Sequence, residues 1–228
     1  MKAVVLFSGG LDSTTCLALA VRKYGSKNVL AVSITYGQKH DKEIKCAERI
    51  AEYYNVELLQ YDAGNIFKGT DCTLIKGNDE VPEGDYKKQQ EKKEGTPVST
   101  YVPFRNGLFL AMATSIALSR GCDAVIYGAH KDDAAGNAYP DCSVMFNHFM
   151  SSAISEGTGG KVRLIAPFIH DNKAYIVRKG LEMDVPYEMT WSCYKGGEKP
   201  CGKCGTCIDR IKAFEENGKE DPLQYEEN

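Results

Sequence analysis

The chain has 228 residues, of which 43% are hydrophobic and 26% are charged, and its formal net charge is −3. These values are typical of a globular protein with one sizeable core, and they give no general electrostatic reason to bind a nucleic-acid backbone. No stretch approaches the roughly 18 to 20 apolar residues of a membrane span, and the first residues lead into a strand rather than a secretion signal. We therefore expect one main domain in the cytoplasm, with no membrane or nucleic-acid partner.

Strand-like and helix-like stretches alternate along the chain. Strands are predicted at 3–7, 29–36, 56–61, 123–128 and 162–168, and helices at 14–21, 41–54, 106–120, 144–154, 173–183 and 208–216. This alternation implies a parallel sheet with helices on both faces. We predict an α/β fold: a doubly wound, mainly parallel five-stranded sheet in residues 1–185, followed by a small helical, metal-binding segment in residues 186–228.

An anion-binding turn is predicted directly after the first strand. Residues 8–13 read SGGLDS, in which paired glycines allow a sharp bend and the following helix directs its positive end towards the turn. Several backbone N–H groups can then point at one phosphate. The hydroxyls of Ser8 and Ser13 can donate further hydrogen bonds, and Asp12 is suited to hold a cation that bridges phosphate oxygens. A turn that only caps a helix is the alternative.

The turn carries neither of the two common nucleotide-binding motifs, Gly-x-x-x-x-Gly-Lys-Ser/Thr and Gly-x-Gly-x-x-Gly. It instead resembles the SGGxDS loop of the PP-loop ATP pyrophosphatases, which bind the β- and γ-phosphates while a substrate oxygen attacks the α-phosphate. The resemblance implies adenylation with loss of pyrophosphate, and Mg²⁺ bound with the ATP. The ATP contacts it implies in this stretch are Phe7, Ser8, Gly9, Gly10, Leu11, Asp12 and Ser13.

Two later stretches are predicted to face the same pocket. In a parallel sheet, ligands bind beyond the carboxyl ends of the strands where the strand order reverses. If the first and fourth strands are neighbours, the polar loop at residues 129–142 shares that pocket with residues 8–13. Arg105 lies near the start of a helix, an unfavourable position for a cation unless an anion is close. A phosphate is its natural partner, and an exposed arginine at a helix start is the alternative.

One break in composition separates the third strand from the next helix. Residues 68–97 are rich in Lys, Glu, Asp, Gly and Gln, with a charge run at residues 87–94 and few apolar anchors. Long loops of this kind are either solvated and mobile or act as lids over a substrate. The sequence favours neither alternative.

Four of the nine cysteines fall within fifteen positions and are separated by glycines. They are Cys193, Cys201, Cys204 and Cys207. Four thiolates in one tetrahedral set leave no open coordination position, which favours one structural Zn²⁺ per chain. An iron–sulfur cluster or a redox dithiol is the alternative. We expect the metal to hold the C-terminal segment against the sheet domain and to take no part in chemistry.

Five separated stretches resemble the 7-cyano-7-deazaguanine synthases of queuosine biosynthesis. They are FSGGLDSTT at 7–15, YGQKH at 36–40, VPFRN at 102–106, YPDC at 139–142 and TWSCY at 190–194, the last followed by the other three clustered cysteines. The family implies an ATP-dependent carbon–nitrogen ligase that turns 7-carboxy-7-deazaguanine and ammonia into 7-cyano-7-deazaguanine (preQ0) through an adenylated acid and an adenylated amide. It also implies structural zinc and favours a homodimer.

The implied chemistry assigns roles to individual residues. Asp12, Ser13 and Arg105 are expected to stabilise charge on the departing phosphates. A carboxylate suits the N–H donor edge of a deazaguanine, so Asp141 is the expected contact there. The further expected contacts of ATP are Tyr36, Gln38 and Arg105. The further expected contacts of the deazaguanine substrate are Tyr139, Asp132, His130 and Lys131, and Asp133 is an additional candidate.

Three departures from that family concern the acceptor. Residues 136–138 read Gly-Asn-Ala where many members carry a Ser-Gly pair, Ser143 replaces an arginine, and Phe104 occupies a position that is often small. They leave open a relative that conjugates another deazaguanine. A PP-loop enzyme that modifies tRNA is less favoured, because the net charge is negative and the clustered cysteines are committed to a metal. A zinc-stabilised nucleotide-binding module without catalysis is the third alternative.

Overall fold

A computed structural model describes residues 2–86, 89 and 95–227. The strands are β1 (Ala3–Leu6), β2 (Val29–Thr35), β3 (Glu57–Asp62), β4 (Ala124–Ile126) and β5 (Arg163–Ile165). The helices are α1 (Leu11–Tyr24), α2 (Lys42–Tyr53), α3 (Arg105–Ser119), α4 (Lys131–Ala134), α5 (Val144–Gly157), α6 (Lys173–Leu181) and α7 (Gly205–Glu215). The five strands and six helices predicted from the sequence are therefore confirmed, with shifted ends, and α4 adds one short helix. The charge run at 87–94 lies outside the described residues, except for Gln89.

The sheet has the strand order β3-β2-β1-β4-β5, and every pair of neighbours is parallel. In the register of the central strand, Val5 lies between Ala31 of β2 and Ile126 of β4. Ala3, Val4 and Val5 are fully buried. A strand covered on both faces needs such a continuous apolar run, whereas the edge strand β3 is largely exposed.

Helices cover both faces of the sheet. Helix α1 packs against α6, and α3 packs against α5. Right-handed crossovers place these two pairs on opposite faces, because the chain moves outward from β1 to β3 and then returns to β4. The predicted doubly wound fold is confirmed. The strand order reverses between β1 and β4, so the turns that follow these two strands face each other.

The C-terminal segment packs onto the sheet domain. The Trp191 N–H donates a hydrogen bond to the Gly9 carbonyl oxygen over 3.1 Å. Arg210 is 1% exposed, and its guanidinium donates from Nε and Nη2 to the two carboxylate oxygens of Asp221 and from Nη1 to Thr190 Oγ1. This two-pronged pairing offsets the cost of burying the arginine charge. It fixes the chain on either side of the clustered cysteines.

Residues 83–86 of the insertion at 68–97 pack against the cysteine-containing segment. The Glu83 carboxylate lies 2.6 Å from Lys195 Nζ, and the Gly84 N–H donates to the Lys203 carbonyl oxygen over 2.9 Å. Tyr86 packs so closely on Gly205 that an added Cβ there would lie 2.8 Å from the tyrosine ring. Residues 83–86 are thus held against the cysteine-containing segment by the Glu83 ion pair at one end and by the packing of Tyr86 at the other. No helix in the described part of the chain has the length and hydropathy needed to cross a bilayer.

Candidate active site

A cavity opens at the carboxyl ends of β1, β2 and β4. Its walls come from the turn after β1, the end of β2, the start of α3, the loop after β4, the start of α6 and the cysteine-containing segment. The expected site residues that line it are Phe7, Ser8, Gly10, Leu11, Asp12, Ser13, Tyr36, Gln38 and Arg105. The turn at residues 8–13 and the distant Arg105 therefore face one space, as expected where the strand order reverses between β1 and β4.

The turn leaves the first amides of α1 open to this cavity. The Gly10 N–H donates to Ser8 Oγ over 3.2 Å, and the Ser8 N–H donates to Ser13 Oγ over 3.2 Å. Gly9 has φ +83°, and a Cβ added there would lie 2.4 Å from the Glu43 carbonyl oxygen, so only glycine fits. No side chain caps α1 at Gly10. Uncapped N–H groups at the positive end of a 14-residue helix favour an anion.

A buried ion pair forms one side of the cavity. Lys173 Nζ lies 3.3 Å from Asp12 Oδ2, and His130 Nε2 lies 3.9 Å from the same oxygen. Burial alone raises the pKa of Asp12, but the charges of Lys173 and His130 bring it below its usual value. Burial lowers the pKa of Lys173, but Asp12 and Asp133 raise it above its usual value. Both groups are therefore charged near neutral pH.

Sequence reasoning missed Lys173, because it belongs to none of the motifs. A signal was nevertheless available. The turn between β5 and α6 lies at the same edge of the sheet as the other two turns, so a lysine at the start of α6 can reach the same pocket.

Arg105 stands on the opposite side of the cavity, beside the end of β2. Its guanidinium lies 4.9 Å from the centroid of the Tyr36 ring. Burial alone lowers the pKa of Arg105, but Tyr36, Tyr194 and Asp141 raise it above its usual value. The cation is thus held in place by an aromatic face, and it remains fully protonated.

Asp141 lies behind the wall and not in the cavity lining. It is 4% exposed, and its Oδ2 accepts a hydrogen bond from the Asn106 N–H over 2.9 Å. This bond satisfies one of the open amides at the start of α3 and fixes the helix that carries Arg105. Direct contact between Asp141 and a deazaguanine stays a prediction. Tyr139 is also buried, and its hydroxyl shares a 2.6 Å hydrogen bond with Thr100.

The loop after β4 supports the wall from behind. His130 is fully buried, with Nε2 3.3 Å from Asp133 Oδ2, and only Asp133 of this loop's acidic residues lines the cavity. Asp132 Oδ2 accepts a hydrogen bond from the backbone N–H of Lys173 over 2.8 Å. Lys131 is exposed. The structure therefore brings His130 and Asp132 to the base of the ion pair rather than to the open cavity.

Several residues line the cavity that sequence reasoning did not assign. They include five aromatic residues, Tyr86, Phe109, Tyr127, Trp191 and Tyr194, and the acid Glu43. Burial raises the pKa of Glu43 to about 7, with a smaller opposing effect from Arg105. Aromatic faces of this kind suit a planar heterocycle. Tyr86 comes from the insertion, which thereby contributes directly to the site.

The four clustered cysteines form a compact set beside the cavity. Their Sγ atoms all lie within 4.8 Å of one another, and all four residues are buried. Tetrahedral zinc with Zn–S bonds of about 2.3 Å places its sulfurs about 3.8 Å apart, close to this spacing. The Cys201 N–H points at Cys193 Sγ, and the Lys203 and Cys204 N–H groups point at Cys201 Sγ. Such donors stabilise thiolates, so the cluster is able to hold a metal ion.

A family model described as "Queuosine biosynthesis protein QueC" matches residues 2–218. The chain belongs to the QueC family. Among curated relatives, a 7-cyano-7-deazaguanine synthase of Hahella chejuensis is 40% identical over 225 residues, which cover 99% of this chain and 93% of that protein. A 7-cyano-7-deazaguanine synthase of Thermoplasma volcanium is 44% identical over 230 residues, which cover 98% of this chain and 90% of that protein.

Among solved structures, the NH3-dependent NAD synthetase from Campylobacter jejuni aligns with this QueC-family chain at a TM-score of 0.50 and 15% identity. The alignment covers 82% of this chain and 66% of the synthetase, and it indicates a shared fold only. The resemblance based on five sequence stretches is confirmed by the family match. This QueC-family protein is therefore an enzyme of queuosine biosynthesis.

Proposed function

We propose that this enzyme is an ATP-dependent ligase that converts 7-carboxy-7-deazaguanine and ammonia into 7-cyano-7-deazaguanine. One observation carries the proposal. The anion-binding turn at residues 8–13 and Arg105 face a single cavity, whose other walls carry aromatic rings. A nucleotide triphosphate and a planar acid can meet in such a space. The names of the full-length relatives support the choice of acid.

In the first half of the proposed reaction, the substrate carboxylate is made into a leaving group. A carboxylate oxygen forms a bond to the α-phosphorus of ATP while the bond from that phosphorus to the bridging oxygen of the β-phosphate breaks. Ammonia then adds to the acyl carbon, loses a proton and expels AMP, which leaves the amide. The amides of the turn, the hydroxyls of Ser8 and Ser13, and Arg105 stabilise the negative charge that develops on the phosphates.

Mg²⁺ would neutralise part of the phosphate charge when ATP binds. Asp12 is the residue suited to hold it. Its Oδ1 is buried and has no hydrogen-bond partner among the described residues, so that oxygen is available to a cation.

In the second half, a second ATP adenylates the amide oxygen. The C–O bond then breaks, AMP departs, and the nitrogen gives up its two protons to form the nitrile. Glu43 lines the cavity and is suited to accept a proton, because burial raises its pKa to about 7.

We assign the deazaguanine end of the cavity to its tyrosine-rich side. Tyr86 and Tyr194 face each other with their hydroxyls 3.5 Å apart, and the Tyr86 ring packs edge-on against Tyr139. In this proposal residues 83–86 form a fixed wall over the substrate.

For the metal, we propose one structural Zn²⁺ bound by the four clustered cysteines. Their compact, closed set of thiols supports zinc, because no ligand position is left open for catalysis. We expect the enzyme to act in the cytoplasm, where such thiols stay reduced.

We also propose a homodimer. Exposed apolar side chains gather on α5 and beside the start of α3, where Phe104 packs edge-on against Phe146. The exposed members are Phe104, Val144, Met145 and Phe149. A surface of this kind suits a two-fold contact with a second copy. Analytical ultracentrifugation should give a dimer for the wild type and a monomer for Phe149→Asp, and a monomeric wild type would contradict the dimer.

The test of the activity is a product analysis. The protein is incubated with Mg²⁺, ATP, ¹⁵N-ammonium and either 7-carboxy-7-deazaguanine or unmodified tRNA, and the small molecules are analysed by mass spectrometry. We expect the ¹⁵N-amide to appear first and the ¹⁵N-nitrile to follow, with pyrophosphate released only when the acid is present. Pyrophosphate release that depends on tRNA and not on the acid would refute the proposal and favour a tRNA-modifying enzyme.

A further inference from the structure

Lys173 is a buried lysine for which the proposed ATP contacts leave no role. The residue is 9% exposed, yet it lines the cavity. Three carboxylates from three other elements face its ammonium group: Asp12 of α1, Asp133 of α4 and Asp209 of α7. His130 lies beside the first of them, with Nε2 3.9 Å from Asp12 Oδ2. Withdrawing a lysine charge from water costs free energy, which these carboxylates offset in the free enzyme, and the position of Lys173 in the cavity lining lets the same charge meet a bound anion.

The root of the Lys173 side chain is fixed by the backbone. The Lys173 N–H donates to Asp132 Oδ2, and Asn172 caps the same helix by accepting from the Tyr175 N–H over 2.9 Å. The Lys131 N–H donates to the Asp171 carbonyl oxygen over 3.1 Å, which ties the loop after β4 to the same helix start. The chain therefore holds the Lys173 Cα still, and only the flexible stem can swing Nζ between Asp12 and the open cavity.

The location of Lys173 complements that of Arg105. Arg105 stands over Tyr36 at the end of β2, whereas Lys173 begins the helix that follows β5, two strands away on the other side of β1. The anion-binding turn lies between them. The turn itself contains no lysine, so its amides and hydroxyls supply no full positive charge to a triphosphate.

We propose that Lys173 Nζ binds the β- and γ-phosphates of ATP and the pyrophosphate that they become, and that Lys173 is thus a catalytic residue of the adenylation. This inference rests on the proposed function. As the substrate oxygen bonds to the α-phosphorus, the electron pair of the breaking bond stays on the β-phosphate oxygen. Lys173 donates a hydrogen bond to the pyrophosphate and keeps its proton. Asp12 holds Nζ in the free enzyme, and Mg²⁺ bound with ATP would compete with the lysine for that carboxylate.

Binding of inorganic pyrophosphate tests the contact without any acid substrate. Isothermal titration calorimetry is performed on the full chain in EDTA with the wild type, Lys173→Met, Lys173→Arg and Lys179→Met. Lys179 is the matched control, because it lies on the same helix and pairs with Glu182 at the surface. We expect Lys173→Met to weaken binding about tenfold or more, Lys173→Arg to retain most of the affinity, and Lys179→Met to match the wild type.

A substitution of Asp12 should change the pyrophosphate affinity in the opposite direction. Asp12→Asn should tighten pyrophosphate binding in EDTA, because the lysine loses its competing partner. In Asp12→Asn/Lys173→Met this gain should disappear. The double variant removes both charges of the ion pair, so it provides the test if Lys173→Met alone fails to fold. Equal affinity of Asp12→Asn and Asp12→Asn/Lys173→Met would overturn the inference. So would a wild type that does not bind pyrophosphate.

The two proposals fail in different ways. If Lys173→Met makes the nitrile with wild-type kcat and wild-type KM for ATP, the proposed function stands and the role of Lys173 falls. If pyrophosphate binding depends on Lys173 but no amide or nitrile forms from the acid, the lysine contact stands and the proposed function falls.

Discussion

The guanidinium of Arg105 lies over the ring of Tyr36, 4.9 Å from the ring centroid. This contact joins the start of α3 to the residue that follows β2, and both residues line the cavity. The contact orients the planar cation of the partly buried Arg105, for which the described residues provide no paired carboxylate, and it leaves the N–H groups available to a phosphate.

Substitutions of Arg105 and Tyr36 should separate the contribution of the positive charge to catalysis from that of the planar stacking. Arg105→Lys keeps the charge but loses the planar stack, so we expect kcat/KM for ATP to fall about tenfold or more. Tyr36→Phe retains the aromatic face and should remain close to the wild type, whereas Tyr36→Leu should approach Arg105→Lys. Steady-state kinetics of pyrophosphate release measures all three. Arg120→Lys, at an exposed pair with Glu57, is the control, and a similar loss there would argue against a specific role for Arg105.

Glu43 should make stability depend on pH. Burial raises the pKa of its carboxyl to about 7 from 4.5, so the folded protein favours the neutral form. The stabilisation is complete below the unfolded pKa and is lost as the pH rises through the folded one. Relative to Glu43→Gln, the free energy of unfolding of the wild type should fall by about 3 kcal/mol between about pH 4 and 8. Urea titrations of both proteins measure the difference, and parallel curves would mean that the carboxyl titrates normally.

The anchor of the insertion should affect the acid substrate more than ATP. Glu83→Gln weakens the ion pair with Lys195, and Tyr86→Ala removes a ring from the cavity wall. We expect Tyr86→Ala to raise KM for the acid about tenfold with little change in KM for ATP, and Glu83→Gln to have a smaller effect in the same direction, because an exposed ion pair contributes little. Initial rates at varied acid and varied ATP separate these terms. Equal increases in both KM values would contradict the assignment of the substrate end.

Loss of one clustered thiol should remove the metal. We expect the wild type to carry about one zinc and no iron per chain, and Cys204→Ser to lose the zinc, melt at lower temperature and aggregate more readily. Cys122→Ser is the matched control, since Cys122 is buried but lies outside the cluster. Elemental analysis and thermal melts provide the readouts. Detection of iron and acid-labile sulfide in the purified wild type would show that the cysteines bind an iron–sulfur cluster instead of zinc.

The fold was predictable because a parallel sheet leaves a strong pattern. Strands covered on both faces are continuous apolar runs, and β1, β2 and β4 all read in this way. We assumed that β1 and β4 are neighbours, because this brings two loops together. The two strands do pair side by side in the sheet. Ends of elements were less certain, because the run at 162–168 contains apolar residues that continue past β5 into the turn before α6.

The site was predictable where a motif was local. Residues 8–13 carry their chemistry in six consecutive positions, whereas Lys173 is an ordinary lysine until the fold places it 3.3 Å from Asp12. Tyr86 was hidden in a polar insertion whose path depends on its contacts with Lys195 and Gly205. Asp141 shows the reverse case. Its sequence context predicts a ligand contact, which stays a prediction, whereas its hydrogen bond from the Asn106 N–H could not be foreseen because the two residues meet only in the fold.

The most direct measurement follows the oxygens of the acid. The enzyme is supplied with 7-carboxy-7-deazaguanine labelled with ¹⁸O at both carboxyl oxygens, together with ATP and ammonium, and all phosphate-containing products are analysed by mass spectrometry. If each oxygen is expelled after attack on an α-phosphate, two molecules of AMP form per nitrile, each with one ¹⁸O, and the pyrophosphate is unlabelled. Label in inorganic phosphate with formation of ADP, or release of ¹⁸O as water, would contradict adenylation.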